Sequence, residues 1–268
     1  MKTDKHTLAG ATQPRHDMHN RWPRAESVDD FRLNLQAVRS RIEDACRRAG
    51  RDPDSVRLLP VSKTMDEAHI RLAYDAGCDF LGENKVQEAW RKSQLMSDLS
   101  PLKWSVIGHL QSNKARLVAK FASEFQALDS LHTAEVLDRR LQQEGRELDV
   151  FVQVNTSHEP SKYGLTPDET ETFLRQLTPF SSLNVKGLMT LAEFTTDAKR
   201  VRECFIRLRT LRDRLCETAP AGFLPAQLSM GMSGDFEIAV EEGATVVRVG
   251  QAIFGARSLP DDYFWPTR

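Results

Sequence analysis

Between Val28 and Ile42 apolar residues recur every three or four positions, with Val28, Phe31, Leu35, Val38 and Ile42 on one helical face. Ser27 stands where an N-cap belongs, and Gly50 and Pro53 close the segment. The pattern then switches to short apolar runs separated by helical ones. Runs at 56–61, 79–82, 104–108, 125–128, 150–154, 185–189, 227–230 and 245–249 predict strands. Helices are predicted at 66–76, 86–96, 113–121, 132–144, 167–177, 197–217 and 236–242, and Pro167 suits a first helical turn. Strands that alternate with helices imply a parallel sheet with crossover helices. Eight such units predict an α/β protein built as a single (β/α)8 TIM barrel over 27–268. An open doubly wound sheet is the alternative. No G-x-G-x-x-G follows the first run, which counts against a dinucleotide-binding version of it.

Composition narrows the class. Lys and Arg total 37 against 38 Asp and Glu, so the net charge is −1 and no basic excess points to nucleic acid. No apolar run approaches the length of a membrane span. Cys46, Cys78, Cys204 and Cys216 are scattered, which reads neither as a disulfide framework nor as a zinc site. A reducing cytoplasm is the expected location. Residues 1–26 are polar and poor in large apolar side chains, and are expected to form a disordered tail.

A barrel of this kind carries its site at the C-terminal ends of the strands. The first run delivers Lys63 there, and the second Glu83 and Asn84. The third delivers His109, the fourth Asp129 and the fifth Asn155, with Ser161 and Lys162 in the loop beyond. The seventh ends in Ser229-Met230-Gly231-Met232-Ser233-Gly234, and the eighth in Arg248-Val249-Gly250-Gln251. The last two loops are the usual phosphate site of the fold. Glycines let the backbone approach a phosphate, and hydroxyls and N–H groups bind its oxygens. A strand-end lysine opposite such a loop suits an aldehyde cofactor bearing a phosphate, because the amine can form a Schiff base. That amine must be neutral to attack, so desolvation or a nearby cation is expected to depress its pKa. Each residue has a plainer reading: Lys63 as a solvated charge, Arg248 in an internal salt bridge, Ser233 as the N-cap of the helix at 236–242, Lys162 as exposed and idle.

Several motifs in order carry a family resemblance: Val61-Ser62-Lys63-Thr64, Gly82-Glu83-Asn84, Gly108-His109-Leu110-Gln111-Ser112-Asn113, Leu228-Ser229-Met230-Gly231-Met232-Ser233 and Val247-Arg248-Val249-Gly250-Gln251. Over 27–257 the chain resembles the pyridoxal phosphate homeostasis proteins of the YggS/PROSC type. The resemblance implies a barrel like the N-terminal domain of alanine racemase. It also implies pyridoxal 5′-phosphate (PLP) as cofactor, bound as a Schiff base to Lys63. Asn84, Ser229, Ser233, Arg248, Gly250 and Gln251 are the further cofactor-binding candidates. Arg248 is expected to face the pyridine nitrogen and the serines the phosphate. Two positions depart from the pattern. Met65 stands where many relatives carry a second lysine, which puts in doubt a second lysine's part in hand-over, and Lys85 follows Gly-Glu-Asn where some have an aromatic.

The expected role is a carrier or buffer in vitamin B6 homeostasis, without catalytic turnover and without a metal. PLP-dependent apoenzymes are the expected recipients. Racemisation of an amino acid is the alternative, since alanine racemase shares the barrel. That enzyme takes its second base, a tyrosine, from a further domain across a dimer. Only 13 residues follow Gly255 here, so neither that domain nor its dimer contact is expected, and a monomer is.

Overall fold

The computed structural model describes residues 22–157, 159, 162–218 and 225–256. Helix α1 (Val28–Arg48) precedes the first strand. The Ser27 hydroxyl accepts from Asp30 N–H, and the Asp30 carboxylate accepts from Ser27 N–H, a reciprocal cap. Phe31, Leu35, Val38 and Ile42 are buried on the face their spacing predicts.

Eight parallel strands follow, each with its crossover: β1 (Arg57–Pro60), α2 (Glu67–Asp75), β2 (Phe80–Glu83), α3 (Val86–Leu95), β3 (Lys103–Val106), α4 (Ala115–Phe121), β4 (Glu124–Leu128) and α5 (Leu131–Glu144). The second half is β5 (Leu148–Gln153), α6 (Pro167–Leu177), β6 (Leu183–Met189), α7 (Ala198–Thr218), β7 (Gln227–Ser229), α8 (Phe236–Glu241), β8 (Val246–Val249) and a short α9 (Gln251–Phe254). The strand order β1-β8-β7-β6-β5-β4-β3-β2 runs the sheet round on itself. The ring closes between β1 and β2 through one bridge, Val61 to Gly82, with Ser62 N–H donating to the Gly82 carbonyl at 3.0 Å. This is the (β/α)8 barrel that the alternating pattern predicts.

The apolar core lies between strands and helices, where Leu81, Phe125, Phe151, Leu188 and Val247 are fully buried. Close backbone approach explains one glycine in it: a Cβ on Gly187 would lie 1.9 Å from the Gln227 carbonyl oxygen, across the β6–β7 pair. The tail assigned to 1–26 divides differently. Residues 1–21 lie outside the described residues. Ala25, by contrast, is buried and donates its N–H to the Phe254 carbonyl at 3.4 Å, and Trp22 accepts from Ala256 N–H at 2.9 Å.

Candidate functional site

The β1–β8 register sets what meets at the barrel mouth. Pro60 lies beside Val249, and Val61 N–H donates to the Val249 carbonyl at 2.9 Å. The chain therefore leaves both strands side by side, with Lys63 on one exit and Gly250 and Gln251 on the other. Lys63 and Gln251 are half-buried.

Arg248 points into the barrel and is almost wholly buried. Its Nη1 donates to Ser229 Oγ at 2.6 Å and its Nη2 to the Thr190 carbonyl at 2.8 Å. The plainer reading, an ion pair, does not hold: among the described residues no carboxylate lies within salt-bridge distance of it. Burial holds the guanidinium down to about 10, against the pull of Asp235 and Glu124. At neutral pH it is still protonated and can only donate.

Ser229, an expected phosphate residue, faces the barrel interior. It ends β7 fully buried, and its hydroxyl is already committed. It accepts from Arg248 and donates to Gln126 Oε1 at 2.6 Å. Gln126 Nε2 in turn donates to Glu124 Oε1 at 2.6 Å, which also accepts from Ser105 at 2.8 Å. Glu124 Oε2 accepts from Arg57 Nη2 at 2.5 Å. Every donor from Arg248 onward points toward Glu124, so the Gln126 amide has one orientation that serves both neighbours. Gln126 and Glu124 were not picked out from sequence. Their signal was polar residues inside an apolar strand run.

Ser233 is also placed differently from its plain reading. Asp235 occupies the N-cap of α8 and accepts from Met232 N–H at 2.5 Å. Ser233 Oγ instead accepts from Gly250 N–H at 3.2 Å and Ala252 N–H at 3.4 Å. The loop after β7 is thereby joined to the first turn after β8, and a hydroxyl and backbone N–H groups gather beside the exit of β1.

Lys63 sits on a bend. Thr64 has φ +69°, the left-handed region that costs a β-branched residue about 1–3 kcal/mol. Thr64 N–H donates to Glu88 Oε1 at 3.1 Å. Behind the bend lies Lys92 of α3, 1% exposed. Its Nζ donates to the Ser62 carbonyl at 3.0 Å, to Glu83 Oε1 at 2.7 Å and to Glu88 Oε1 at 2.8 Å. Ser62 Oγ also donates to Glu83 Oε1 at 2.6 Å. Burial pushes the Glu83 carboxyl up, against the pull of Lys92 and of the Ser62 hydroxyl. Lys92 too was missed from sequence, although it falls in register with the buried Val86 and Ala89.

The rest of the rim is looser. Asn84 is exposed just after β2, and a Cβ on Gly108 would lie 2.2 Å from its carbonyl oxygen, so only glycine lets the two loops touch. His109 stacks on Tyr163, ring centroids 4.0 Å apart at 13°. Asp129 Oδ2 accepts from Gly164 N–H at 3.1 Å. Ser161 lies outside the described residues. Lys162 is not idle: it donates to the Ala192 carbonyl at 3.0 Å and pairs with Glu159. Among the described residues no group of three His, Cys, Asp or Glu is placed to hold a metal, and no helix is long and apolar enough to cross a membrane.

Residues 33–258 match the family described as alanine racemase, N-terminal domain. The pyridoxal phosphate homeostasis protein of Aquifex aeolicus is 38% identical over 223 residues, 83% of this chain and 96% of that protein. Among solved structures, PipY of Synechococcus elongatus PCC7942 with PLP bound is 37% identical with a TM-score of 0.75, covering 84% of this chain and 100% of that one. An alanine racemase of Clostridium difficile 630 is 17% identical with a TM-score of 0.66, covering 88% of this chain and 59% of that one, a likeness of fold alone. By this match and these identities, the chain belongs to the pyridoxal phosphate homeostasis protein family, on the barrel of the alanine racemase N-terminal domain.

Proposed function

We propose that this protein binds pyridoxal 5′-phosphate covalently at Lys63 and holds it for storage and release rather than for turnover of a substrate. The observation that carries the reading is the meeting of three groups at one end of the barrel. These are a strand-end amine, a buried guanidinium restricted to donating, and the Ser233–Gly250 turn. The residues fit the cofactor: its aldehyde takes an amine with loss of water, its ring nitrogen takes a donor, and its phosphate takes hydroxyl and N–H groups. The family relatives named for pyridoxal phosphate homeostasis, and a relative solved with PLP bound, support the same assignment.

In this reading Ser233, Gly250 and Gln251 hold the phosphate, and Asn84 borders the ring. Ser229 acts through Arg248, whose plane it fixes. Arg248 keeps the ring nitrogen unprotonated, since a guanidinium has no acceptor to offer. An unprotonated ring is a weak electron sink, which disfavours carbanion chemistry and suits a carrier. Apoenzymes that need the cofactor are the recipients, and the protein works as a monomer in the cytoplasm.

A spectral titration with pyridoxal 5′-phosphate tests the reading. The parent protein is expected to develop the absorbance of a lysine adduct, and Lys63→Ala to stay folded without it. An equal spectrum in both would move the attachment elsewhere. Turnover of D- or L-alanine by the loaded protein would restore the racemase alternative.

A further inference from the structure

Lys63 is flanked by two peptide units, and both are gripped from α3. On one side, the Ser62 carbonyl accepts from Lys92 Nζ at 3.0 Å and the Ser62 hydroxyl donates to Glu83 at 2.6 Å. On the other, Thr64 N–H donates to Glu88, which is itself paired with Lys92 at 2.8 Å. The clamp stands at the seam where β1 and β2 are joined by a single bridge. On its β2 side the exit of β1 has little backbone pairing to hold it.

Stability alone does not explain the cluster. A buried ion pair seldom outperforms apolar packing of similar volume. Glu83 Oε2 is buried with no hydrogen-bond partner among the described residues, and Thr64 is held in a strained conformation. What the arrangement does accomplish is to determine the backbone on both sides of Lys63. Strain of this kind persists only where the surroundings over-determine it.

We propose that Lys92 is a positioning residue for Lys63: with Glu83 and Glu88 it fixes the bend at 62–64 and so delivers the amine to one place at the barrel mouth. The inference rests on Lys63 being the attachment residue. In this role Lys92 acts through the backbone of that bend.

The test compares two ligands on three variants. One ligand is pyridoxal 5′-phosphate; the other is 4-deoxypyridoxine 5′-phosphate, which has the ring and phosphate but no aldehyde. Glu88→Ala removes the grip on Thr64 at a partly exposed position. The pair Glu83→Gln with Lys92→Met removes the buried charges together, so that neither is left alone. Glu88→Gln keeps an acceptor for Thr64 N–H. Glu88→Ala and the double variant are expected to bind the aldehyde about tenfold more weakly, the scale of a small misplacement of a reacting group. The deoxy ligand is expected to bind all variants as it binds the parent, and Glu88→Gln to recover most of the aldehyde affinity. Without ligand, amide hydrogen exchange at 62–65 is expected to quicken in the two weakened variants.

Unchanged aldehyde affinity in Glu88→Ala would overturn the proposal, and so would equal weakening of both ligands. Glu88→Ala decides the matter by itself if the double variant does not fold. A parent protein that binds the aldehyde without an adduct on Lys63 is a separate result, and would overturn the attachment assignment instead.

Discussion

Ser229 and Ser233 stand four residues apart in one loop motif, yet their hydroxyls do different work. Ser233 meets the N–H groups of Gly250 and Ala252, while Ser229 is sealed in the barrel between Arg248 and Gln126. Ser233→Ala is expected to weaken pyridoxal 5′-phosphate about tenfold and to leave unphosphorylated pyridoxal unaffected, about one charge-assisted hydrogen bond. A phosphate-independent loss in a binding assay would contradict this. Ser229→Ala strips a partner from both Arg248 and Gln126 and is expected to cost about 1–3 kcal/mol in urea unfolding. No loss would show that the network is slack. Asp129 brings a pH dependence. Burial raises its carboxyl above the ordinary 3.8, so the folded state holds that proton more tightly than the unfolded chain. The associated stability is full below the unfolded value and is lost as pH rises through the folded one. Asp129→Asn mimics the neutral form and is expected to exceed the parent in stability at pH 7, the gap closing toward pH 4. Unfolding midpoints whose difference is constant over that range would contradict it. The placement of Lys63, Arg248 and Gly250 at the ends of β1 and β8 was legible in the sequence, because a strand end and a glycine loop are local features. The division of labour between the two serines was not, because it depends on which residue is the last of β7.

At the scale of elements, helix and strand periods survive almost intact from sequence to structure. The cap at Ser27 and the face of α1 follow directly from spacing. The closures do not. The β4–β5 and β5–β6 registers each shift by a bulge or irregularity, and the β1–β2 seam depends on one bridge and a clamp from α3. Such features arise from side chains distant in sequence, so periodicity carries no trace of them. Lys92 shows the limit: its position on the inner face of α3 was readable, but its partners on β2 and at the exit of β1 were not. Gly187 gives a test at this scale. Gly187→Ala forces a Cβ onto the Gln227 carbonyl and is expected to cost more than about 3 kcal/mol or to prevent folding, since β6 and β7 must part. A soluble variant with near-parent stability would mean that the pairing yields more easily than the geometry implies.

The whole molecule combines an apolar layer outside the strands with a polar ladder inside them. Barrel interiors of this fold are usually filled by branched apolar side chains. Here Arg57, Glu124, Gln126, Ser229 and Arg248 form a hydrogen-bonded run through the interior, ending at Thr190. A net charge of −1 gives no hint of it, because a whole-chain sum does not say which charges lie inside. The ladder fixes a donor-only guanidinium beneath the mouth, and the β1–β8 register brings the amine and the Ser233–Gly250 turn to the same rim. The central claim is that this rim binds pyridoxal 5′-phosphate through Lys63. Borohydride reduction of the protein incubated with that cofactor, followed by peptide mass mapping, tests it most directly. A single phosphopyridoxyl group on the peptide containing Lys63 is expected. A group on Lys114 or Lys162 instead, or no adduct at all, would contradict it.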